Sequence, residues 1–164
     1  MNRTVEYPLL HCIEGFQPGY VNRLLEHFAT EFGWDEEFAR RVLRDAIRLL
    51  DLSALPPTGQ EASATQQVMI PSPIVDQVID AIFLDSPLLK WLEDNVFFTR
   101  LLHVPSYAHG ESDPMLLAAR YQFTRALMRS AGYELDNDIW PEAHGSRPYS
   151  VGGGWNDCLV FRTI

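Results

Sequence analysis

Pro71-Ser72-Pro73-Ile74-Val75-Asp76-Gln77-Val78-Ile79-Asp80-Ala81-Ile82-Phe83 carries the plainest helix signal in the chain. Ser72 offers a capping hydroxyl. Pro73 suits the first helical position, where its missing N–H would have no intrahelical partner. Ile74, Val75, Val78, Ile79, Ile82 and Phe83 then recur at i, i+1, i+4, i+5, i+8 and i+9, a stripe broad enough for burial. This stretch is expected to be the central core helix. Asp76 and Asp80 stand four apart, so they share one face, read here as the helix's polar side.

The same start device recurs downstream at Ser86-Pro87 and Asp113-Pro114. The first opens a helix with Leu88, Leu89, Trp91 and Leu92, and Val96-Phe97-Phe98 and Leu101-Leu102 continue its apolar pattern. The second opens a helix that runs to about Ala131 with Leu117, Tyr121, Thr124 and Met128 on one stripe, and Gly132 stops it. Upstream, Val21, Leu24, Leu25, Phe28 and Phe32 mark a helix ended by Gly33. Asp35 caps the next, and Glu36 and Glu37 sit in its first turn, where carboxylates meet the positive end of the dipole. Arg40, Arg44 and Arg48 on that helix read as a solvated face, partly neutralised by Asp45.

The segments between are polar or irregular. Residues through Pro18-Gly19 read as a short arm, and residues 53–67 as an internal loop around Pro56-Pro57-Thr58-Gly59. Residues 133–164 read as an irregular tail docking on the helices, with Trp140 inserted between them and one short strand at Cys158-Leu159-Val160-Phe161. The expected fold is mainly α: one domain over residues 1–164, a compact bundle of about five helices with an irregular C-terminal tail.

Charge narrows the function. In 164 residues there are 22 acidic against 13 basic side chains, a net charge of −9. Such a chain is repelled by nucleic-acid phosphates and anionic membranes, so neither is expected as a partner. No stretch approaches the roughly 20 apolar residues of a membrane span. The first residues lack the apolar run of a signal peptide, which leads to a cytoplasmic expectation. Cys12 and Cys158 then read as reduced thiols, with one disulfide pinning the termini as the alternative in an oxidising compartment.

Chemistry-bearing patterns are few. His103 follows the Asp76/Asp80 helix closely enough to fold back on it, and two carboxylates with one imidazole suit a divalent or iron ion. His109 offers a further ligand from a loop. Polar-flank acids are the competing reading of Asp76 and Asp80. There is no Gly-x-Ser-x-Gly elbow and no Gly-rich loop followed by Lys-Ser or Lys-Thr. Asp136-Asn137-Asp138 lacks the ligand spacing of a calcium loop and reads as a turn.

From Pro71 onward the sequence resembles the glycine-rich domain-containing protein-like family. Val75-Asp76, Leu84-Asp85-Ser86, Leu102-His103-Val104-Pro105 and Ile139-Trp140-Pro141 match its elements, over residues 68–142. Where the family has Trp-His-x-His, this chain has Ile79-Asp80-Ala81-Ile82, and of the family's His-His-x-Pro element it keeps the second histidine as His103. The resemblance implies no activity. It implies that this chain has lost most of the family's histidines, and that a site, if one survives, has shifted from imidazoles toward carboxylates.

Two functions are expected. The first is a non-catalytic acidic binding or regulatory protein, inhibitor- or immunity-like and without a cofactor. It would engage a basic protein partner through Tyr107, Tyr149 and Trp155. The alternative is a small metal-dependent enzyme with one divalent or iron ion at Asp76, Asp80 and His103.

Overall fold

A computed structural model describes residues 8–55, 69–105, 114–142 and 158–162. In chain order these form α1 (Pro8–Phe16), α2 (Tyr20–Phe32), α3 (Glu36–Ala54), α4 (Pro73–Leu84) and α5 (Ser86–Leu92). A π-helical turn (Glu93–Phe97), β1 (Leu101–Pro105), α6 (Pro114–Ser130) and β2 (Cys158–Arg162) follow. The fold is mainly helical.

The caps follow from side-chain chemistry. Asp35 Oδ1 accepts from the Phe38 N–H at 2.8 Å, and Ser72 Oγ accepts from the Val75 N–H at 3.3 Å. α5 is capped one residue earlier than its Ser-Pro pair suggests: Asp85 Oδ1 accepts from the Leu88 N–H at 3.2 Å. A carboxylate is the stronger acceptor at the positive end of a helix. Gly33 and Gly132 close α2 and α6 at φ +70° and +88°, where a side chain would be strained.

Four features differ from the sequence reading. The arm before Gly19 contains a helix, α1, so the described residues hold six α-helices rather than five. Ile13 anchors α1 in the core, and Glu14 reaches across to cap α2, accepting from Gly19 N–H at 2.6 Å and Val21 N–H at 3.0 Å. The hub is α3 rather than α4. α3 packs on α1, α2, α4, α6 and both strands, because Val42, Leu43, Ala46, Ile47, Leu49 and Leu50 bury nearly its whole circumference.

The apolar run after α5 divides, Val96 and Phe97 ending a π-helical turn and Leu101-Leu102 leaving the helix. Its π-helical turn ends at Phe98 in the left-handed region, and Leu101–Pro105 become a strand antiparallel to β2, with His103 opposite Val160. The expected terminal strand thus has a partner. Finally, the arginine stripe is not wholly solvated. Arg48 and Asp45 are buried, Arg48 Nη1 donates to Asp45 Oδ1 at 3.1 Å, and Arg44 Nε stands 3.5 Å from the same oxygen.

The described part of the tail closes over that pair. Trp140 is fully buried, stacks on Tyr121 with ring centroids 6.3 Å apart, and donates from Nε1 to Asp45 Oδ2 at 3.0 Å. The Tyr121 hydroxyl donates to the Pro141 carbonyl at 2.8 Å, and Arg48 lies over the Tyr133 ring at 4.6 Å. Burial pushes the Asp45 carboxyl above its usual range, against the pull of Arg44, Arg48 and the Trp140 N–H. The hydrophobic area of Trp140 and the polar tie beneath it fix the chain between α3 and α6.

Candidate functional site

α4 and β1 together build the one grouping of three or more potential metal ligands among the described residues. The helical spacing of Asp76 and Asp80 puts both carboxylates under β1, and the strand sets His103 between them. His103 Nε2 lies 3.0 Å from Asp76 Oδ1, and Nδ1 lies 3.2 Å from Asp80 Oδ1. The Phe83 ring packs against the imidazole with centroids 5.0 Å apart. The structure thus brings together all three residues that the sequence proposed as metal ligands.

Burial divides the three. The His103 side chain is 5% exposed and Asp76 is similarly covered, whereas Asp80 is 42% exposed. Asp76 was expected to face solvent or a cleft from the polar side of α4; β1 covers that side instead.

The hydrogen bonds constrain the chemistry. A neutral imidazole donates from one nitrogen only, so it satisfies both carboxylates at once only as the imidazolium. In that form the three groups carry one net negative charge and close on one another as a clamp between β1 and α4. A cation entering from the Asp80 side would replace the Nδ1 proton, while Asp76 would hold Nε2–H and fix the ring. That is the carboxylate–histidine–metal relay. One ligand atom from each residue lies within 4.8 Å of the others, which suits a shared ion only after the ring and Asp80 adjust.

Tyr107, Tyr149 and Trp155, the expected partner-binding residues, lie outside the described residues, as does the loop histidine His109.

One residue escaped the sequence reading. Phe98 is 80% exposed and holds φ +52°, the only non-glycine residue among those described with positive φ. Glu93 locks the turn around it. Its Oε1 accepts from the Leu101 N–H at 2.8 Å and its Oε2 from Arg100 at 2.6 Å. Arg100 also pairs with Asp94 at 3.0 Å. Nothing in the sequence distinguishes Phe98 from its buried neighbour Phe97; both belong to one apolar run.

No family model, no curated protein and no solved structure matches the chain. The resemblance read over residues 68–142 rests on those residues alone.

Proposed function

We propose that the protein is a non-catalytic binding protein that presses an acidic surface onto a basic protein partner, in the manner of an inhibitor or immunity protein. Phe98 is the observation that carries this reading. A bulky residue in the left-handed region costs about 1–3 kcal/mol; such strain persists where the surroundings hold it, as Glu93 does here, and it clusters at functional sites. Here the strain aims an aromatic ring into water, where it gains little burial in the isolated chain. Exposed aromatics are the side chains that dominate protein–protein hot spots. Glu93 and Asp94 are balanced locally by Arg100 and Lys90, so the complementary field is that of the whole chain, with its net charge of −9. A cytoplasmic location belongs to the same reading.

Quantitative capture from a lysate of the source cells, with wild type and Phe98→Ala side by side, tests it. A basic protein enriched by wild type, lost with Phe98→Ala and bound more slowly at high salt is the expected result. Equal capture by both chains would sink the role of Phe98, and an on-rate unchanged by salt would sink the electrostatic part.

A second reading has its own observation, the convergence of Asp76, Asp80 and His103. In it, Asp80 and His103 Nδ1 hold a divalent or iron ion and Asp76 orients the ring. Two donors on this side bind such an ion weakly, and we expect substoichiometric metal in untagged, purified protein. Elemental analysis giving about one ion per chain, abolished by Asp80→Asn or His103→Ala, would favour the enzyme.

A further inference from the structure

A cleft of about 350 Å³ opens where α1, α2 and α3 meet. Arg40, Arg41 and Arg44 line it, and Leu10 and Val21 give it an apolar wall. Three arginines border one cleft on a chain of net charge −9. Two acids share the lining, Glu14, which accepts from the amides of α2, and exposed Glu37, so the three arginines exceed the acids of the lining by one charge.

The arginines differ in how far they are satisfied. Arg40 pairs with Glu36 at 2.8 Å on the exposed side, a contact worth little. Arg41 bonds through Nη1 to Asp136, and its Nε is buried without a hydrogen bond among the described residues. Arg44 is the least satisfied. Its one carboxylate neighbour, Asp45, stands 3.5 Å away and already accepts from Arg48 on one oxygen and from Trp140 on the other. Arg44 Nε is also buried with no hydrogen bond among the described residues. Two guanidiniums beside one carboxylate leave one positive charge over, and Arg44 is the one of the two that lines the cleft.

We propose that this cleft binds a small organic acid, its carboxylate on Arg44 and its apolar body against Leu10 and Val21. The planar guanidinium fork matches a carboxylate, and one surplus charge suits a monoanion better than a phosphate. The cleft's volume sits at the small end of the range for ligand pockets, so the ligand is a small molecule rather than a peptide. This site is separate from Phe98 and from the Asp76–His103–Asp80 cluster, and it stands or falls independently of both.

Calorimetric titration of the full chain tests the proposal, with benzoate as the acid, benzamide as the same body without charge, and inorganic phosphate as the charge without a body. Saturable benzoate binding is expected, with benzamide silent and phosphate weaker. Loss of a charge-assisted contact in Arg44→Gln should weaken benzoate about tenfold or more. Should that variant fail to fold, Arg40→Glu, on the exposed side of the cleft, should weaken benzoate by reversing a charge there. No benzoate binding by wild type overturns the proposal. So does binding unchanged in a folded Arg44→Gln or in Arg40→Glu, or phosphate binding as tight as benzoate.

Discussion

Two charged triads each fasten a later segment onto a helix, and they are built in opposite senses. At Asp45 one carboxylate serves two guanidiniums and an indole, buried under Trp140 between α3 and α6. At His103 one imidazole serves two carboxylates between β1 and α4, and one of those carboxylates stands half in water. The first carries surplus positive charge and the second surplus negative. Burial decides what each can do. Asp45 and Arg48 are buried and Arg44 alone of the triad reaches solvent, so breaking it strands charge in the core. Asp80 can exchange its bond to His103 for water or a cation at small cost. The first region is fastening; the second is adjustable.

The comparison is broken most easily at Trp140. Trp140→Ala should lose about 3–5 kcal/mol in urea unfolding, through lost burial and a residual cavity. Trp140→Phe keeps most of the apolar area and removes the N–H from Asp45, so about 1–2 kcal/mol is expected from the hydrogen bond alone. A loss under 1 kcal/mol for Trp140→Ala would show that the tail only rests on the surface.

Asp45→Asn comes next. It turns an N–H₂ toward donors and removes the counter-charge of Arg44 and Arg48, at a cost of about 3 kcal/mol. The pH dependence sharpens this. The native carboxyl titrates above the unfolded value of 3.8. From 3.8 up to its native value, the folded chain holds a proton that the unfolded chain has lost. This group's contribution to stability therefore falls as pH rises through that window. The slope should be missing from the Asp45→Asn profile.

At the second triad, His103→Ala takes the imidazole from the buried Asp76 carboxylate and should cost about 2 kcal/mol. Asp80→Asn should cost under about 1 kcal/mol, because its carboxylate is half solvated. Equal losses for the two would contradict an open flank. The smallest effect belongs to Asp94, whose carboxyl is held below its usual range by the hydrogen bond from Lys90 and then by Arg100. Its contribution is present above pH 3.8 and lost as pH falls through the lower native value. Asp94→Asn should lower stability slightly above pH 3.8, leave it unchanged below the native value, and so flatten the acid limb of the unfolding profile.

Much of the frame was legible because local chemistry specified it. Ser72, Asp35, Gly33 and Gly132 end or start helices through interactions within a few residues of themselves. The meeting of Asp76, Asp80 and His103 was also legible, since two ligands share a helix face and the third follows the next helix. What escaped depends on distant contacts. Arg48 belongs to a buried pair because Trp140 and Tyr133, far along the chain, cover it. α1 is helical because its Ile13 finds the core and its Glu14 caps another helix. Leu101–Pro105 form a strand because Cys158–Arg162 return to pair with them. Phe98 is exposed because Glu93 fixes the turn, and an apolar run carries no mark of that.

Phe98→Gly tests the central claim most directly, read by urea unfolding and partner capture on the same preparations. Glycine relieves the left-handed strain, so the account predicts a chain more stable by about 0.5–1 kcal/mol that no longer captures its basic partner. A chain that is less stable, or that captures the partner as well as wild type does, would contradict it.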